Sequence, residues 1–138
     1  EHLRAAATSI YVTGSFWYSG SAMAAAVATI NELSRLDGPA LMRRSGERLR
    51  KGLAEQADRF GLDLIQSGPA AIPLVQFADD PDTELGERFC QEALRRGVYL
   101  HHKHNMFLSC AHTDDVVDAA LNATEDAMRA ISTRRRRR

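Results

Sequence analysis

Residues 22–30, AMAAAVATI, limit the fold more than any other part of the chain. They are strong helix formers, and Ala, Met, Val and Ile fill every face of the helix they would make. A helix with no polar face has to be covered all round. We therefore expect a long apolar helix over 21–36 that lies between two bodies of protein, one of which the rest of this chain does not supply. The run is far short of the roughly twenty apolar residues that a bilayer span needs, so no membrane partner is expected. Just before it stands TGSFWYSGS, residues 13–21, in which Thr13, Ser15, Ser19 and Ser21 alternate with glycines and aromatics. Hydroxyls and free backbone N–H groups at a helix start suit an anion such as a phosphate, and equally suit a plain cap and turn. Trp17 and Tyr18 add bulky surface of the kind that walls a pocket or an interface.

The remaining pattern is helix, two strands, helix, two strands, helix. LDGPA breaks the first helix at Gly38 and offers Pro39 to the next, an amphipathic helix over about 39–60 with Met42, Leu49, Leu53, Ala57 and Phe60 on one stripe and Gly61 as its stop. LDLIQS and IPLVQFA read as a hairpin, with Pro73 confined to a strand start or a sheet edge because it has no N–H to give. Leu85, Phe89 and Ala93 mark the next helix, entered through acidic residues and left through Arg95, Arg96 and Gly97. VYLH and MFLSCA read as two more strands around the turn HKHN. Thr113 then caps a last helix with Val117, Ala120, Leu121, Thr124, Met128 and Ile131 on its buried stripe. The expected fold is α+β, a small, mostly antiparallel sheet of three to four strands with helices on one side, preceded by the interdomain helix.

Few residues carry chemistry of their own. His101, His102 and His104 lack a carboxylate or cysteine at ligand spacing, so a polar turn is expected rather than a metal site. Cys90 and Cys110 make neither a disulfide framework nor a zinc pattern and read as core-filling thiols in a reducing, cytoplasmic compartment. The two lysines, Lys51 and Lys103, stand on a polar stripe and in the histidine turn, where nothing desolvates an amine. No catalytic residue is assigned. Acidic and basic residues balance at 18 each, but five of the basic ones form the terminal run 134–138, a solvated tail that would attract nucleic acid only without specificity. The chain opens EHLRAAATSIYV with no initiator methionine, and we expect it to be the interior of a longer protein.

SFWYSGSAMAAAVATINEL resembles the segment of class III, fold-type-I pyridoxal-phosphate aminotransferases in which Gly-Thr or Ser-Thr precedes a small-residue helix. GVYLHHKHNMFLSCAHTDDVVDAALNATEDAMRAI is similar to the end of the same family, and especially of its glutamate-1-semialdehyde 2,1-aminomutase-like branch. The likeness covers about residues 8–131 in order. It implies a division into a large-domain edge (1–20), an interdomain helix (21–36), a C-terminal small domain (37–131) and a basic tail (132–138). It also implies that Ser15 and Gly14 reach the cofactor phosphate of the neighbouring subunit of a homodimer, with Phe16 and Trp17 at the pocket for a small amino substrate. The Schiff-base lysine of the family would belong to a missing N-terminal large domain, leaving this chain inactive alone. Ser19, Gly20 and Ser21 depart from the family's Ser-Gly-Asn-Pro, and HHKHNM departs from the aminomutases, so aminotransferase and aminomutase both stay open. A free-standing α+β module that binds a small molecule or regulates a partner is the alternative.

Overall fold

The computed structural model describes residues 2–10, 14 and 18–135. The chain divides into two compact units, Glu1–Arg35 and Leu36–Arg138. In the first, α1 (His2–Thr8) ends where the hydroxyls of Thr8 and Ser9 donate back to the carbonyls of Ala5 and Ala6, at 2.8 and 2.7 Å. The second helix, α2 (Gly20–Leu36), closes with a two-pronged Arg35 to Glu32 pair at 2.7 and 2.8 Å. No residue of α2 is buried, and Val27 and Ile30 stand 59% and 62% exposed.

In the second unit, α3 (Gly38–Phe60) starts after Asp37 in a left-handed conformation, with Pro39 in the first turn, where its missing N–H leaves no bond unmade. It stops at Gly61, whose φ of 64° only glycine adopts without strain and whose N–H closes on Ala57 and Asp58. The strands β1 (Leu64–Ser67) and β2 (Leu74–Phe77) pair antiparallel, Leu64 opposite Phe77 and Ser67 opposite Leu74, and Pro73 stands just ahead of β2. The next helix, α4 (Glu84–Leu94), is capped from outside: the two carboxylate oxygens of Asp80 accept the N–H groups of Leu85 and Gly86 at 2.9 and 2.7 Å. The last helix, α5 (Asp114–Arg135), begins with two acidic residues that complement its positive end, and it continues past Ile131 into the arginine run.

These elements share one core. Leu53 of α3, Phe77 of β2, Phe89 and Ala93 of α4, and Met128 and Ile131 of α5 are all buried in it. The helix α5 packs on both α3 and α4, while α3 touches β1 and α4 touches β2. The Phe77 and Phe89 rings meet edge to face at 5.6 Å, the arrangement their quadrupoles favour.

The sheet is smaller than the three to four strands expected. Among the described residues it has two, and VYLH (98–101) and MFLSCA (106–111) are not strands. The N–H groups of Met106 and Leu108 do reach the carbonyls of Pro73 and Ala71, at 2.8 and 2.9 Å, so this segment runs beside the approach to β2. Pro73 has no N–H to return to Met106, so that contact stays one-sided and no ladder runs through it.

Candidate functional site

At the start of α2 the sequence sets hydroxyls and backbone donors beside a helix N-terminus. Met23 donates its N–H to the Ser19 carbonyl at 3.0 Å, which begins the helix, and the hydroxyls of Ser19 and Ser21 lie 3.0 Å apart. The first turn of α2 holds no acidic residue, so nothing opposes the positive end of its dipole. Gly14 has a φ of 144°, in the range that favours glycine, and Tyr18 is 84% exposed. Ser15, Phe16 and Trp17, the other residues expected at a cofactor and substrate site, lie outside the described residues.

No protein-family model matches the chain. Among curated proteins it is 47% identical, over 128 residues and 93% of its length, to the aminopentol aminotransferase of Sphingopyxis macrogoltabida. It is 32% identical over 132 residues to the glutamate-1-semialdehyde 2,1-aminomutase of Desulforudis audaxviator. Among solved structures it superimposes with a TM-score of 0.85 and 47% identity, over 93% of its length, on the FumI protein of Sphingopyxis sp. MTA144 in its PLP internal aldimine form. The chain matches pyridoxal-phosphate-dependent aminotransferases and aminomutases. It corresponds to their C-terminal part and spans about a third of the relatives it matches, 30% of the aminopentol enzyme and 31% of FumI.

Aminotransferase chemistry of this family needs a desolvated lysine, and neither lysine here qualifies. The Lys51 side chain is 80% exposed and its ammonium sits 3.9 Å from Glu55 on the surface of α3. Lys103 is exposed, and its backbone N–H donates to Nδ1 of His101 at 3.1 Å. Hydroxyl and backbone donors before α2 are of the kind that hold a phosphate, whereas neither lysine is desolvated.

Several of the remaining polar residues are structural. Nδ1 of His112 accepts the N–H and the hydroxyl of Ser109 at 2.9 and 3.0 Å, and its carbonyl accepts the buried Ser45 hydroxyl at 2.7 Å, fastening the entry of α5 to α3. Burial, with the charge of Glu87 beside it, pushes the Cys90 thiol up to about 11, so it stays protonated and inert at neutral pH. Among the described residues no three His, Cys, Asp or Glu side chains gather as metal ligands would. Instead the rings of His101 and His102 stack at 5.3 Å, and His101 meets His104 edge-on at 6.1 Å.

The histidine turn borders an open groove of about 470 Å³ lined by Tyr99, His101, His104, Asn105, Met106 and Phe107. The sequence reading did not gather these residues. Its only trace was the alternation in 98–100 and 106–108, which turns Tyr99 and Phe107 outward while Leu100 and Leu108 pack on the core.

Proposed function

We propose that the whole protein is a pyridoxal-phosphate-dependent aminotransferase acting on a primary amine carried by a hydroxylated chain, and that this chain is its small domain with the helix that leads into it. The observation that carries the proposal is the 47% identity, over 93% of the chain, to an aminopentol aminotransferase, well above the 32% to an aminomutase. That margin favours transfer of the amino group between molecules over its migration within one.

In this reading the hydroxyl and amide of Ser15, with the backbone at Gly14, bind the cofactor phosphate of the neighbouring subunit in a homodimer. The positive end of α2 adds to that attraction. Phe16 and Trp17 stand at the substrate mouth, and residues 37–131 close over the substrate and exclude water. When bound, the cofactor ring withdraws electrons from the carbon that carries the amine. The lysine that anchors the cofactor comes from an N-terminal large domain, against which α2 lays its exposed Met23, Val27 and Ile30. A free-standing regulatory module has less support, because it would leave that apolar face in water. The expected compartment is the cytoplasm.

The test is reduction with borohydride in the presence of pyridoxal phosphate, followed by peptide mapping. The full-length protein should transfer nitrogen from aminopentol to a 2-oxo acid and carry its pyridoxyl label on a lysine outside residues 1–138. The isolated chain should take no stoichiometric label. Full labelling of Lys51 or Lys103, or no transfer from any amine by the full-length protein, would overturn the proposal.

A further inference from the structure

We propose that the groove between Tyr99 and Phe107 is a subsite for the hydroxylated chain of the amine substrate, remote from the nitrogen that reacts. This rests on the function proposed above.

The first support is geometric. The segments 98–100 and 106–108 are held by their inward side chains, Leu100 and Leu108, and by the bonds from Met106 and Leu108 to Pro73 and Ala71. Tyr99 and Phe107 therefore stand outward on an anchored frame, 73% and 64% exposed. Two aromatic side chains beside a space of about 470 Å³ form a contact surface of the size small molecules use.

The second support is the hydrogen-bonding character of the imidazoles. Nδ1 of His101 accepts the Lys103 N–H, which in the neutral ring puts the proton on Nε2 and makes that atom a donor. Nδ1 of His104 faces the carbonyl of Asn105 at 2.7 Å and must donate to it, which in the neutral ring leaves its Nε2 an acceptor. The backbone thus fixes one donor and one acceptor on rings 6.1 Å apart, beside the Asn105 side chain, which offers both. A hydroxyl both donates and accepts, so a chain bearing several suits this set, while its C–H faces pack on the rings of Tyr99 and Phe107. No carboxylate lines the groove, so no full negative charge pairs with an ammonium group there, and the hydroxylated part of the substrate suits it better than the amine end.

The test uses two variant pairs of the full-length protein. Tyr99→Ala with Phe107→Ala removes the walls, whereas His101→Phe with His104→Phe keeps the rings and deletes their nitrogens. Each pair should raise KM for aminopentol about tenfold or more with kcat little changed, as the loss of one or two hydrogen bonds or of the stacking faces dictates. The histidine pair should leave KM for an alkylamine without hydroxyls as it was. Equal shifts for both amines, or a fall in thermal stability that places another part of the protein on the groove, would overturn the subsite. If the wild-type protein transfers no amine, the proposed function fails. Calorimetric titration with aminopentol then decides the groove by itself: binding lost in both pairs upholds it, and unchanged or absent binding rejects it.

Discussion

Thr124 is fully buried where α5 meets α3, and its hydroxyl closes a small polar cycle. Its single proton is shared between Oε1 of Gln56 at 2.8 Å and the Leu121 carbonyl at 3.0 Å, and Nε2 of Gln56 donates to that same carbonyl at 2.8 Å. Thr124→Val keeps the shape and deletes the hydroxyl, leaving Oε1 of Gln56 without a donor in a closed space. Stranding a buried acceptor costs roughly 1–3 kcal/mol. Gln56→Leu removes that acceptor but leaves the Thr124 hydroxyl its bond to Leu121, and it should cost about 0.5–1.5 kcal/mol. The double variant strands nothing new, so its loss should fall short of the sum of the single losses by about 1 kcal/mol. Urea unfolding followed by helical circular dichroism measures this, provided the slope of each transition stays constant. Two results would refute the reasoning: a Thr124→Val variant as stable as the wild type, or two single losses that simply add.

Gly46 of α3 lies so close to the turn after β1 that an added Cβ would stand 1.9 Å from the Ala70 carbonyl oxygen and 2.4 Å from its carbon. Because the obstruction is backbone, Gly46→Ala should cost about 1–3 kcal/mol or more, while Gly20→Ala, with nothing within 4 Å, should stabilise α2 by up to about 1 kcal/mol. Thermal melts that ranked the two variants the other way would contradict the close approach. Cys90 gives a pH dependence. Its thiol titrates near 9.0 when unfolded and at about 11 when folded, so between those values the folded state alone keeps the proton. The contribution is whole below the lower value and fades as pH climbs towards the higher. Cys90→Ala should therefore flatten the alkaline loss of stability, and stability curves that run parallel in the two proteins would exclude this.

Where a structural signal is local, the sequence carried it. The 3.6-residue spacing of Leu49, Leu53 and Ala57, and of Leu85, Phe89 and Ala93, put the right faces on the core, and Gly61 ended α3 where its left-handed backbone was needed. Two motifs in the right order and separation were enough to reach the family, because each preserves a sequence with its own local logic: donors before a small-residue helix, and a Ser-x-x-His turn before an acidic helix start. Signals that depend on a distant partner were misread. Alternation in 98–101 and 106–111 reports which side chains are inside, not whether two backbones exchange bonds; at Met106, for one, the absent N–H of Pro73 leaves the contact one-sided. The histidines show the same limit more sharply. As letters they posed a question about metal, since imidazole is the commonest ligand; in the fold, the backbone at Lys103 and Asn105 fixes which nitrogen of each ring donates. Tautomer, and with it what the ring can recognise, is a property of the neighbouring peptide groups. It cannot be read from the spacing of the histidines themselves.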